Sequence, residues 1–130
     1  MNASHSGLIS TSGGRLATST YQTGLNEETI DVREPTTGRV LTSLGRHLNA
    51  AQGWAFSPDG RLLASASCDQ SVRIADATTG RVVHEFRDER PGNHPYWCVA
   101  FSSDGHRLAA GYGIDTDQDP GGVRIWDVET

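Results

Sequence analysis

Apolar positions in this chain fall in short runs, and each run is closed by residues that turn the backbone. The middle of the chain shows the pattern best. Gly53–Phe56 reads as one strand and Ser57-Pro58-Asp59-Gly60 as a turn, with Pro58 supplying a fixed φ and Gly60 a positive one. Arg61–Ser67 reads as a second strand, Cys68-Asp69-Gln70 as a tight turn and Ser71–Ala75 as a third strand. Thr78-Thr79-Gly80 turns again into a fourth strand, Arg81–Phe86. The pattern predicts an all-β unit of four antiparallel strands.

The chain repeats this unit. Ser12-Gly13-Gly14-Arg15-Leu16-Ala17 returns as Pro58-Asp59-Gly60-Arg61-Leu62-Leu63-Ala64 and as Ser103-Asp104-Gly105-His106-Arg107-Leu108-Ala109. A second block follows each copy. Thr29-Ile30-Asp31-Val32-Arg33 aligns with Ser71-Val72-Arg73-Ile74-Ala75 and with Gly122-Val123-Arg124-Ile125-Trp126. The period of roughly 42 to 50 residues lies in the range of propeller blades.

On these residues, above all Phe56-Ser57-Pro58-Asp59-Gly60-Arg61-Leu62-Leu63-Ala64-Ser65 and Val123-Arg124-Ile125-Trp126-Asp127, the chain resembles the WD-repeat family of β-propellers. The resemblance implies blades at about 7–44, 53–86 and 97–130, within one partial propeller domain over 1–130. Two blades are complete, and the third lacks its last strand, since Thr130 aligns with Thr79. Closed propellers need about 4 to 8 blades. The expectation is therefore a piece of a longer chain, or closure by self-association through open strand edges. The six polar residues before Gly7 are too short to supply the missing strand.

The family's structural network of His, Asp, Ser/Thr and Trp maps here onto His47, nine residues before Phe56, Asp69 in the second-to-third turn, Ser65 or Ser67, and Trp126. A carboxylate that fixes a histidine's tautomer is a structural device, not a catalytic one. The network is incomplete by sequence: the Trp position holds Ala75 in the middle unit and Arg33 in the first.

Composition narrows the function. The 130 residues carry 11 Lys+Arg against 16 Asp+Glu, a formal charge of -5, which argues against nucleic acid or an anionic membrane as partner. All the basic residues are arginine, so lysine chemistry is excluded. Cys68 and Cys98 form no CxxC pair and read as two small buried thiols in a reducing, cytoplasmic setting. The N-terminus lacks the basic-then-apolar order of a signal peptide, and no run approaches the ~20 apolar residues of a membrane span. No GxSxG, P-loop or GxGxxG motif occurs, the five histidines show no metal-ligand spacing, and nothing orients His94 as a base for Cys98. The chain is expected to be neither an enzyme nor a cofactor carrier.

The connections expected to lengthen are Thr20–Glu28, Gly45–Gln52, Arg87–Tyr96 and Gly113–Gly121, all at one end of the strands. Insertions on one face of a repeat array often mark the binding face. Arg90, Asn93, His94, Tyr96 and Trp97 combine hot-spot residue types on a Pro/Gly frame, and Tyr21 joins them from the first connection. The expected partner is a protein or peptide. The implied role is a non-catalytic scaffold or sensor module within a larger multidomain bacterial protein. The alternative is a calcium-dependent or enzymatic propeller using the insertion 115–121, where Asp115, Asp117 and Asp119 are spaced two apart before Gly121. That spacing departs from the EF-hand pattern at Pro120 and Trp126.

Overall fold

The computed structural model describes residues 3–4, 10–12, 15–22, 27–48, 51–87, 94–113 and 121–128, with side chains in 15–18, 29–43, 53–87, 94–113 and 121–128. Every regular element among the described residues is a strand. In the first sheet, β1 (Ala3–Ser4) and β2 (Ser10–Ser12) lie along one edge of β3 (Arg15–Gln22), followed by β4 (Glu27–Arg33) and β5 (Val40–Leu48). The second sheet is β6 (Ala51–Phe56), β7 (Leu62–Ser67), β8 (Ser71–Asp76) and β9 (Val82–Arg87). The third is β10 (Tyr96–Phe101), β11 (Arg107–Tyr112) and β12 (Gly122–Asp127). All pairings are antiparallel.

The turns repeat bond for bond. The Ser57 hydroxyl donates to Asp59 Oδ1 at 2.7 Å, and the Arg61 amide donates to the same oxygen at 3.0 Å. Ser102, Asp104 and the His106 amide repeat this at 2.6 and 2.9 Å. Gly60 takes φ +73°, the left-handed value this turn requires. These hydrogen bonds hold the Asp59 and Asp104 carboxyls below the usual aspartate range, the serine hydroxyl acting first and the backbone amide second. Asp76 is lowered by the Thr78 and then the Thr79 amides at the opening of the third-to-fourth turn.

The cores lie between sheets. Ala17, Ile30 and Val32 of the first sheet pack on Trp54, Phe56, Leu63, Ala75 and Ala77 of the second. Ala64, Ala66, Val72 and Ile74 of the second pack on Tyr96, Leu108, Ala110 and Val128 of the third, with Phe86, Val99, Phe101 and Trp126 at the margin. The opening strands run side by side, β2 near β6 and β6 near β10. The second sheet thus buries its two faces against different neighbours, as a stacked blade does.

The structure changes the expectations for two connections and for the cysteines. The Thr20–Glu28 connection is mostly strand, because the β3–β4 ladder runs out to Gln22 opposite Glu27. Gly45–Gln52 is also mostly strand, since β5 continues to Leu48 and β6 begins at Ala51. β-branched and aromatic residues at Thr18, Thr20 and Tyr21 extend the pairing where a loop was expected. The segment before Gly7 contributes a short strand, Ala3 and Ser4 pairing with Gln22 and Tyr21 in its own sheet. Cys98 is exposed and Cys68 half-buried, where both were expected to be buried, and no disulfide joins them.

Candidate interaction surface

The end of the strands that carries the second-to-third turns is tied together across sheets. In the turn after β7, the Asp69 amide donates to Ser67 Oγ at 3.2 Å. Asp69 Oδ1 accepts the Ser71 amide at 3.0 Å and also the Ser71 hydroxyl. A carboxylate that closes its own turn this way is an Asx motif, which explains the Asp at this position. Arg87 reaches in from β9, donating to the Asp69 carbonyl at 3.0 Å and to Glu85 at 3.2 Å.

Gln70 is the described non-glycine residue with positive φ, at +69°. Such a backbone costs of order 1 kcal/mol or more and persists only where the surroundings enforce it. Here the enforcing contact crosses between sheets: Gln70 Oε1 accepts the His94 amide at 3.2 Å. His94 and Pro95 are buried on the approach to β10.

Trp97 comes next. The β10–β11 ladder pairs Tyr96 with Tyr112 and Cys98 with Gly111, so Trp97 is the extra residue of a bulge. A bulge re-aims a side chain. Trp97 is 45% exposed, and its indole N–H donates to the Gly113 carbonyl. The Gly113 amide in turn donates to the Pro95 carbonyl at 3.1 Å. The ring is held by its polar edge and presents apolar surface outward. Gly113 and Gly121, both with positive φ, touch where a Cβ on Gly113 would lie 2.3 Å from Gly121 Cα. Two glycines therefore form the neck of the acidic insertion.

The sequence-predicted residues divide sharply. Trp97 is exposed. Tyr96 is not: at 1% exposure it is a core residue, edge-on to Tyr112 at 6.0 Å and tilted against Trp126 at 5.9 Å. Neighbours on a strand face opposite sides, and the bulge decides that Tyr96 rather than Trp97 faces the core. His94 is likewise buried, and its backbone, rather than its ring, makes the Gln70 contact. Tyr21 belongs to β3, paired with Glu28, and its side chain lies outside the described residues. Arg90, Asn93, Asp115, Asp117 and Asp119 also lie outside them. No metal-binding cluster is found among the described residues.

Of the expected network, Ser67 and Asp69 are joined, by the Asp69 amide. The His47 side chain lies outside the described residues, and its backbone pairs with Glu28 in the first sheet. Trp126 sits apart from them, stacked on Phe86 at 4.6 Å between the second and third sheets. Gln70 and Gly113 were not expected at this surface; the three-residue turn and the Gly flanking the insertion were the available signals. At the opposite end, a shallow cavity of about 190 Å³ lies between the Ser57–Leu62 and Asp104–His106 turns.

Comparison with known proteins settles the family. The model for the anaphase-promoting complex subunit 4 WD40 domain matches residues 24–100, and that for the WD domain, G-beta repeat, matches residues 80–127. The chain belongs to the WD40-repeat family. WD40 domains are generally non-catalytic and generally mediate protein–protein interactions. The zebrafish WD repeat and SOCS box-containing protein 1 is 36% identical over 92 residues, covering 68% of this chain and 21% of the relative. The yeast U3 small nucleolar RNA-associated protein 21 is 30% identical over 106 residues, 82% of this chain and 10% of the relative. An uncharacterized WD repeat-containing protein of the cyanobacterium Synechocystis is 30% identical over 86 residues, 65% of this chain and 24% of the relative. The chain thus spans between a tenth and a quarter of the length of these WD40 relatives.

Proposed function

We propose that this WD40 segment is a non-catalytic docking module whose partner, a protein or peptide, binds the end of the sheets centred on Trp97. The observation that carries this is the half-exposed indole at the bulge, anchored through Gly113. Large aromatic residues with restrained rotamers dominate binding energetics, because little side-chain entropy is lost when they are covered. The Gln70–His94 bridge keeps the second and third sheets in register beneath this surface. The module belongs to a larger, multidomain bacterial protein in which another domain acts. Support comes from the length of the relatives, one of them cyanobacterial, and two thiols outside any disulfide favour a cytoplasmic setting.

The test is affinity capture with the chain and with Trp97→Ala, followed by titration of the purified partner. Removing a hot-spot tryptophan should weaken binding by about 2 kcal/mol, roughly thirtyfold in Kd. Circular dichroism should be unchanged. Equal affinity for the two proteins would place the contact elsewhere.

A further inference from the structure

The end of the sheets opposite Trp97 closes differently at its two junctions. Leu16 pairs with Arg33 and Leu63 with Ala75, so by ladder position Arg15 of the first sheet corresponds to Leu62 of the second. At the first junction Arg15 crosses to the second sheet, where its guanidinium donates to Thr78 Oγ1 at 3.2 Å. The Thr78 and Thr79 amides hold the Asp76 carboxyl below its ordinary range there, and the charges of Arg61 and Arg15 add to them. At the second junction the corresponding position is Leu62, which carries no cation, and the cavity of about 190 Å³ lies beside it.

The walls of this cavity are of two kinds. Pro58 and Leu62 are apolar, and Pro58 lies close to the third sheet: a Cβ on Gly105 would lie 3.5 Å from Pro58 Cδ. Asp59 and Asp104 bring in one carboxylate from each sheet. Each uses a single oxygen for its own turn, Oδ1 accepting both the serine hydroxyl and the backbone amide. Oδ2 of each accepts no hydrogen bond among the described residues. Arg61 follows Asp59 in the chain but does not line the cavity. The first junction cannot present such a pair, because Gly13 stands where its first carboxylate would be.

An occupant must lay an aliphatic stem on Pro58 and Leu62 and offer cationic N–H donors to two carboxylate oxygens. Arginine meets both needs. Its stem packs on apolar surface, and its planar fork donates through several N–H groups, whereas an ammonium is a compact point charge that holds its water more strongly. We propose that the cavity between the Ser57–Leu62 and Asp104–His106 turns binds an arginine side chain of a protein partner, which does at the second junction what Arg15 does from within the chain at the first. The formal charge of -5 favours the approach of a basic partner. The contact is exposed, so one side chain binds weakly by itself and adds to a larger interface. It is independent of the Trp97 surface, at the other end of the strands.

The probe is acetyl-arginine methylamide, titrated into the 130-residue chain and followed through the backbone amide NMR signals. The signals of residues 59–61 and 104–106 should shift and saturate with a Kd on the order of 1 mM, the affinity that a ligand of this size reaches at an open site. The citrulline analogue, equal in shape and uncharged, should bind at least tenfold more weakly. Asp59→Asn/Asp104→Asn keeps the acceptors of both turns and should weaken the arginine probe at least fivefold. Leu62→Arg should fill the cavity from within and weaken the probe at least as much. Trp97→Ala should leave the titration unchanged, and its loss there would move the contact to the Trp97 surface and overturn the proposal. Equal binding of the arginine and citrulline probes overturns it, as does the absence of saturating shifts at the two turns. Calcium ion alone moving the same signals at lower concentration than the arginine probe would make the cavity a metal site and overturn it too. If the asparagine variant does not fold, Leu62→Arg decides, and full binding of the arginine probe to that variant overturns the proposal. If neither variant folds, the comparison of arginine with citrulline on the parent chain decides.

Discussion

The two inter-sheet cores fill similar space from different strands. Between the first and second sheets, bulk comes from the opening strand, as Trp54 and Phe56, and the third strand contributes only Ala75. Between the second and third sheets, the opening strand supplies Val99 and Phe101, and the third strand supplies Trp126, stacked on Phe86. Trp54 aligns with Val99, and Ala75 with Trp126. A tryptophan has moved across the sheet, and the smaller residue has moved the other way. A second exchange lies nearby: Gly53 pairs with Ala66 in the second sheet, and Cys98 with Gly111 in the third. The repeat conserves volume at the interface rather than residue identity at each position, which is how packed cores tolerate substitution. The signature tryptophan is therefore dispensable in the middle sheet because its space is already filled.

The strongest test of the comparison removes one side chain from the face shared by all three sheets. Ile74→Ala should cost about 3 kcal/mol, as burial at 0% exposure and loss of a packed side chain require. Ile125→Ala, the same change at the exposed counterpart, should stay within about 0.5 kcal/mol. Chemical denaturation of both variants checks this. Equal losses would mean that the β12 face is covered in solution.

The tryptophan exchange makes a more specific prediction. Trp54→Val should cost about 3 kcal/mol by leaving a cavity, and Ala75→Trp about 2 kcal/mol by overfilling the same core. Made together they rebuild the arrangement of the other interface, so the double variant should be at least about 1 kcal/mol more stable than the sum of the single changes. Additive losses would show that the two positions do not share one space. The Trp54 indole N–H has no hydrogen-bond partner among the described residues. Its value at this site is therefore its ring volume.

Much of this architecture was legible in the sequence, and the reason is turn chemistry. Pro58, Gly60 and Gly80 fix where strands must reverse, and the repeat returns the Gly60 turn at Gly14 and Gly105 and the Gly80 turn at Gly38, so the middle strands are legible to within about two residues. The lengthened strands of the first sheet were not legible: Asn and Gly residues within 20–28 suggest a loop, and only pairing with β4 carries Tyr21 and Gln22 into the ladder. The site was legible in part. Asp69 announces its own turn, but nothing local distinguishes the exposed Trp97 from the buried Tyr96. That choice depends on a one-residue bulge in the β10–β11 pairing, a tertiary fact that reverses which neighbour faces the core.

The glycine exchange should give a smaller effect. A Cβ on Gly111 would lie 2.8 Å from Cys98 Sγ, so Gly111→Ala should cost about 1 kcal/mol. Adding Cys98→Gly recreates the Gly53–Ala66 pair of the second sheet and should recover most of that loss. Thermal melts of the single and double variants decide it, and a double variant no better than Gly111→Ala would break the analogy between the two sheets.

The smallest effect concerns the turns, where the first sheet differs from the other two by having Gly13 in place of Asp59 and Asp104. Both carboxyls are held below the ordinary aspartate range by a serine hydroxyl and a backbone amide, so the native state binds their protons less readily than the unfolded chain does. Their contribution is therefore present above the ordinary aspartate range and is lost as pH falls through the lower, folded values. Asp76 follows the same sign through its two amides. Because Asp59 and Asp104 are exposed and Asp76 is only half-buried, each contribution is small, and the melting temperature should be level near neutrality and decline only in acid. Asparagine at the three positions keeps a carbonyl acceptor for the turn but removes the titration. The Asp59→Asn/Asp76→Asn/Asp104→Asn chain should lose part of the acid decline while melting close to the parent in acid. An acid profile identical to the parent's would show that the acid-sensitive groups lie elsewhere, and that the carboxylates of the second and third sheets add nothing the first sheet lacks.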